Sequence, residues 1–292
     1  MLDLHIHTNY SDGDENVISL LRKAEKNKLS VISFTDHNTC EAYNILKEVY
    51  NKNHYKVKII TGCEIYTCIE SYPIELLAYG FNLDAFVANS KDILELNYLK
   101  KINEFMILRV FDICEKKGII VRERNINNYL RKKHPSILLH REITKYQENR
   151  KFFETENLWK DSTKFYRECI CNNNSVFFVD FSSVLPHVLC VINIIHKTGG
   201  FVFLPHVFEY GRNSINILYK LIDKYKIDGI ECFYPSYTKE QMDFLLNLCC
   251  DKDYFVSAGS DFHTNKKNMD IGVDIKEYRN KFKWIDRINQ FK

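Results

Sequence analysis

Two hydrophobic periods alternate along the first eighty residues. Met1 to His7 alternates apolar and polar as a barrel-start strand does, and Ser11 to Gly13 then turns the chain. Val17, Leu20, Leu21 and Ala24 follow at helical spacing. The unit repeats: Val31 to Phe34 is a short β-rich run, Thr35 to Asn38 a polar loop, and Ala42, Ile45, Leu46 and Val49 a helical stripe. This βαβα order predicts a parallel sheet. Val57 to Tyr66 and Ile74 to Gly80 supply two more strand candidates.

The punctuation then changes. Between Phe81 and Thr198 the one glycine is Gly118, placed to end a long helical run from about Asp92 to Lys117. Residues 83–174 therefore read as a mostly helical insertion, a cap over the barrel mouth, between a first barrel part at 1–82 and a second at 175–292. Alternation resumes with Val176 to Phe181, a helix from about Pro186 to Lys197, and the runs Phe201 to Leu204, Ile227 to Phe233 and Tyr254 to Ser257. About seven strands in one α/β body result, with an open sheet as the alternative to a barrel. No internal repeat or low-complexity tract interrupts them.

Composition changes this picture little. A chain of 292 residues with 45% hydrophobic and 27% charged residues has the composition of an ordinary globular protein and not of a disordered one. A net charge of +3 suits anionic substrates without forming the basic stripe of a duplex-binding domain. The N-terminus has neither the basic nor the apolar region of an export signal, and no stretch is long enough to span a membrane, so the cytoplasm is the expected compartment. The ten cysteines are expected as reduced, packed thiols, because Cys169, Cys171, Cys249 and Cys250 lack the paired spacing of a zinc site.

The chemistry lies where histidines and acids fall relative to the strands. His5 and His7, two apart, leave one face of the first strand, and Asp12 follows in the turn. The second strand ends in Thr35-Asp36-His37, the third in Gly62-Cys63-Glu64, and later strands in His206 and in Ser260-Asp261-Phe262-His263. Singly these have plain explanations: Asp12 as a turn residue, Asp36 as a helix cap, Glu64 as a surface carboxylate. Together they converge, because parallel strands gather their C-terminal ends on one rim. Imidazole with carboxylate suits zinc, manganese or iron, and two or more such ions activate water and neutralise a phosphoryl oxygen.

The segments HIHTNYSDG, TDHNT, GCEIY, LPH and GSDFH, in that order, resemble the motifs of the PHP (polymerase and histidinol phosphatase) superfamily. The resemblance implies a distorted (β/α)7 barrel and a centre of two or three divalent ions, manganese, zinc or iron. It allots His5, His7 and Asp261 to a first ion, Glu64 as a bridge to a second served by His206, and Asp12, His37 and His263 to a third. His140, in the insertion, would be the ninth ligand. Asp261, His206 and His37 are the expected catalytic residues.

The departures from the family's pattern shape the rest. Leu138 stands where relatives carry an arginine, which leaves phosphate binding to Arg141 or Arg212, and Glu75 replaces a histidine and reads as a barrel carboxylate in preference to a ligand. Tyr237 is a substrate-facing candidate, while His54, His134, His187 and His196 match nothing in the family and read as structural or surface residues. Length, insertion and the stretch from Gly229 to Ser236 look most like the branch that hydrolyses nucleotide 3′,5′-bisphosphates and trims short single-stranded RNA from its 5′ end. A histidinol-phosphate phosphatase and a non-catalytic scaffold are the alternatives; a polymerase's proofreading exonuclease is disfavoured because no polymerase domain is attached.

Overall fold

A computed structural model describes residues 1–53, 55–94, 98–130, 134–264 and 270–291, which leaves His54 outside the described residues. The chain opens as β1 (Asp3–Ile6), α1 (Val17–Lys26), β2 (Val31–Phe34), α2 (Ala42–Asn53) and β3 (Lys58–Ile59), and the three strands pair in parallel. The helical stripe of α1 buries Val17, Leu20, Leu21 and Ala24 against this sheet. Asn16 caps it by accepting from the Ser19 N–H at 2.9 Å, which satisfies one of the free donors of the first turn.

A second sheet has the order β4 (Gly62–Ile69), β5 (Tyr72–Tyr79), β6 (Phe201–Leu204), β7 (Gly229–Phe233) and β8 (Phe255–Ala258). Its β4–β5 and β5–β6 pairs are antiparallel and the rest parallel. Between β5 and β6 come α3 (Leu83–Asn89), α4 (Tyr98–Lys117), α5 (Pro135–Ile143), α6 (Glu156–Lys160) and α7 (Val188–Lys197); α8 (Ser214–Lys224) and α9 (Lys239–Lys252) connect the last three strands. Gly118, at φ 68°, ends α4 in the left-handed conformation that a side chain would strain.

The closed seven-stranded barrel is not formed. The two sheets meet at two seams, each held by a single bridge, Ile6 with Phe262 and His37 with Glu64. Asn38 and Asp261 stand at these seams with φ of 49° and 51°, and left-handed residues turn the backbone out of ladder pairing before more rungs can form. The expected strand at Val176 to Phe181 is also absent. Phe177, Val179 and Phe181 alternate, but the segment is turns and extended chain whose apolar residues enter a core without pairing.

There are two cores. The larger packs helices on the sheets and includes Leu4, Ile32, Phe34, Leu77 and Phe203, closed below by Trp284, whose indole donates to the Val256 carbonyl at 2.8 Å. α3 belongs to it through Phe86. The second core is built almost wholly from residues 98–185, around Val110, Leu139, Phe165 and Phe177, with Cys68 of β4 at its edge. Each of those phenylalanines is fully buried and contributes roughly 1.5–3 kcal/mol. All ten cysteines are free, and no helix among the described residues is long and apolar enough to cross a membrane.

Candidate metal centre

The alternation of β1 puts His5 and His7 on one face, both fully buried. Around them the strand ends assemble two donor groups: His5, His7, Glu64 and Asp261, and His7, Asp12, His37 and His263. Within each group the ligand atoms all lie within 4.8 Å of one another. His7 belongs to both. Its Nε2 is 3.1 Å from Glu64 Oε2 and 3.2 Å from Asp261 Oδ1, while its Nδ1 is 3.5 Å from Asp12 Oδ1. Glu64 is similarly divided: Oε2 faces His5 and His7 at 3.1 Å and His37 at 3.3 Å, and Oε1 meets His206 Nε2 at 2.8 Å.

Whether these residues fit metal ions is tested by their unpaired atoms. His206 Nδ1 is buried without a hydrogen-bond partner among the described residues, and His7 Nε2 and His37 Nδ1 are buried facing carboxylate oxygens at 3.1–3.3 Å. An orphaned imidazole nitrogen is costly in a protein interior, and an ion is the partner its lone pair suits. The charges agree. Burial alone would raise Glu64, yet His5 and His37 hold it well below the usual carboxylate range; Asp261 is held down by His5 and His7, and Asp12 by His37 and His263. Burial pulls His7 down too, but the hydrogen bonds to Asp261 and Glu64 hold it at about 10. His37 goes the other way, lowered by burial.

A surrounding layer fixes these side chains. Glu231, fully buried on β7, takes His5 Nδ1 at 3.0 Å through Oε1 and the His206 backbone N–H at 2.7 Å through Oε2. A proton held on Nδ1 leaves His5 Nε2 free to ligate. Asp36 accepts from the Thr8 N–H at 2.7 Å, the Thr8 hydroxyl at 2.8 Å and the Ser11 hydroxyl at 2.6 Å, clamping the loop that carries Asp12. It is neither ligand nor helix cap. Asp3 accepts from the backbone of His5, Ser260 and Gly272, and burial pushes its carboxyl up to about 6. Tyr234 donates to Asp261 Oδ2 at 2.8 Å, which turns Oδ1 to the histidines.

Sequence reasoning missed Glu231 and Tyr234. A charged residue inside a strand as apolar as Gly229 to Phe233 was the available signal for the first, since such a carboxylate is buried and must be paired. Nothing local distinguishes Tyr234 from Tyr237. Tyr237 is buried between Phe208 and Tyr234, its ring 5.1 and 5.3 Å from theirs.

His140 does not complete this centre. It is buried in the second core between Phe153 and Phe165, with Nε2 bonded to the Leu158 carbonyl at 2.9 Å. Arg141, on the next position of α5, is exposed. Arg212 is paired with Glu168 at 2.7 Å and Glu154 at 3.3 Å. Glu75 is buried and held by Arg167 through two contacts of 3.0 Å, with the guanidinium over the rings of Tyr166 and Tyr210. His196 pairs with Asp228 at 2.7 Å, and His187 caps α7.

Residues 3–172 match the profile of the family described as PHP domain. A 5′-3′ exoribonuclease of Haemophilus influenzae is 28% identical over 280 residues, which cover 94% of this chain and 93% of the relative. The Escherichia coli 5′-3′ exoribonuclease Rnm is 32% identical over 82 residues, 28% of this chain and 27% of that one. Two solved structures share the fold. One, described as an amidohydrolase from Chromobacterium violaceum, has a TM-score of 0.62 at 17% identity and covers 100% of this chain and 98% of its own. The other, a metal-dependent phosphoesterase candidate from Bifidobacterium adolescentis, has a TM-score of 0.57 at 19% identity and covers 96% of each.

Proposed function

The chain belongs to the PHP family and is a metal-dependent hydrolase of phosphate esters, and we propose that its substrates are nucleotides or short RNA carrying a terminal phosphate. One observation carries the reading: the two donor groups converge through a shared His7 and a divided Glu64 at the rim where strand ends meet. In this reading His5, His7, Asp12, His37, Glu64, His206, Asp261 and His263 hold the ions. When bound, the ions supply activated water and neutralise charge at the phosphoryl oxygens.

The protein's own part is positional. Glu231 keeps the His5 proton on Nδ1 and also holds the His206 backbone, so one carboxylate orients two ligands. Tyr234 fixes Asp261, and Asp36 fixes the loop that presents Asp12. His206 Nε2 donates to Glu64 Oε1 at 2.8 Å; burial lowers the pKa of the ring, but this hydrogen bond and the Glu64 charge leave it raised overall. The choice of nucleotide substrates draws support from the relative of Haemophilus influenzae, which aligns across nearly the whole chain.

The test is metal analysis of the purified protein, then a screen for phosphate release from nucleotide 3′,5′-bisphosphates and histidinol phosphate and for mononucleotide release from short 5′-phosphorylated RNA. Bound transition metal and hydrolysis of the nucleotide substrates are expected. Turnover of histidinol phosphate alone would move the chain to another branch of the family, and full metal loading without turnover would make it a scaffold.

A further inference from the structure

A cavity of about 420 Å³ opens beside the metal centre, between the loop of Asp12 and the second core. Asp12 and Tyr66 line it from the strand side. Asn103 of α4, His134 at the start of α5, Tyr166 and Phe181 line it from the other. The volume falls within the roughly 300–1,000 Å³ of small-molecule sites. The wall is continuous with the centre, because the Tyr66 ring lies 4.9 Å from that of His37. Tyr166 meets Phe181 edge-on at 6.4 Å, so the far wall is also aromatic.

One polar group stands out on this wall. His134 caps α5: its Nδ1 accepts from the Ser136 N–H at 3.4 Å and lies 2.7 Å from the Ser136 hydroxyl. A ring whose Nδ1 accepts carries its proton on Nε2, and His134 is exposed at this wall. Desolvation by the surrounding protein, then the Arg167 charge, lowers its pKa to about 4, so the ring stays neutral at physiological pH. The cavity thus offers aromatic faces, a fixed N–H donor and the Asn103 amide, with an acidic metal-ligand candidate at its inner end.

We propose that this cavity is the nucleoside subsite: the base stacks between Tyr66 and Tyr166, His134 Nε2–H and Asn103 supply the polar contacts, and the phosphate lies toward Asp12. The inference rests on the nucleotide reading above and deepens it. Every base has a π-face, so such a platform separates nucleotides from base-free phosphate esters and discriminates little among the bases.

The experiment measures binding of adenosine monophosphate and of ribose 5-phosphate to the full-length, metal-loaded protein by calorimetry. In the wild type the nucleotide should bind at least about tenfold more tightly, the size of one stacking contact. Tyr166→Ala should erase most of that ratio and Tyr166→Phe should keep it. His134→Asn, which retains a capping side chain but loses the ring N–H, should weaken the nucleotide alone. Should Tyr166→Ala fail to fold, Asn103→Trp fills the cavity and should exclude the nucleotide while ribose 5-phosphate still binds. Equal affinities in the wild type, or equal losses for both ligands in the variants, would overturn the subsite. A wild type that releases neither phosphate from any nucleotide nor mononucleotides from RNA would defeat the functional reading instead, and the binding ratio would still decide the subsite.

Discussion

Histidine has opposite surroundings in the two halves of this molecule. At the strand ends His5 and His7 are fully buried among Glu64, Glu231 and Asp261, and both rings are raised, His7 to about 10. In the insertion His140 packs against Phe153 and Phe165 and is lowered, and His134 falls to about 4. Desolvation acts the same way on all four; only the first pair has carboxylates to overcome it. The contrast separates a region built to hold charge from one built to pack and to bind a neutral surface. His37, between the two, has Glu64 and Asp12 close by and is still lowered, because burial, aided by the neighbouring His7 and His263 charges, outweighs them.

The largest effect expected from this contrast is at His7, which both donor groups share. His7→Ala should remove several kcal/mol of transition-state stabilisation, about a thousandfold or more in rate, with the metal content falling alongside. Wild-type metal and rate in this variant would dissolve the centre as drawn. Glu231→Gln comes next, since it disturbs the ligands without being one: about 10- to 100-fold in metal affinity or activity, read by metal titration. An unchanged affinity would mean that the buried Glu231 only fills space.

His140→Ala sharpens the other side. It should cost about 1–3 kcal/mol in denaturant unfolding, because the Leu158 carbonyl loses its donor and the aromatic cluster loses a ring, while metal content and rate stay at wild-type levels. Loss of an ion would return His140 to the ligand set.

The smallest effects are in pH. In metal-free protein the folded pKa of His7, about 10, lies above the unfolded value of about 6.5. Its stabilisation is therefore complete below about 6.5 and is lost as pH rises through 10. His134 has the reverse sign: its folded value of about 4 lies below the unfolded one, so stability present above about 6.5 is lost as pH falls toward 4. His7→Gln should flatten the alkaline limb of a chelated sample and His134→Asn the acid limb. A single variant flattening both limbs would show that the two regions titrate as one.

What the sequence determined by itself was local and periodic. β2 and β6 occupy the runs read from Val31 to Phe34 and Phe201 to Leu204, and His5, His7, His37, His206, Asp261 and His263 stand at or just beyond strand ends, whereas Glu64 lies within β4, third of its eight residues. A strand sends alternate residues to one face, so a two-residue spacing already states that two side chains point together. The tertiary structure decided what no local pattern encodes. Asn38 and Asp261, left-handed at the seams, keep the sheets from closing into a continuous barrel. Glu231 becomes a partner of His5 only because β7 is brought opposite β1, 226 residues away in sequence. In the insertion, the sequence shows a mostly helical segment holding His134 and His140 but not which of them meets the cavity. That depends on how the second core seats α5 against α4, a matter of long-range packing in which His134 faces the opening and His140 the aromatic interior.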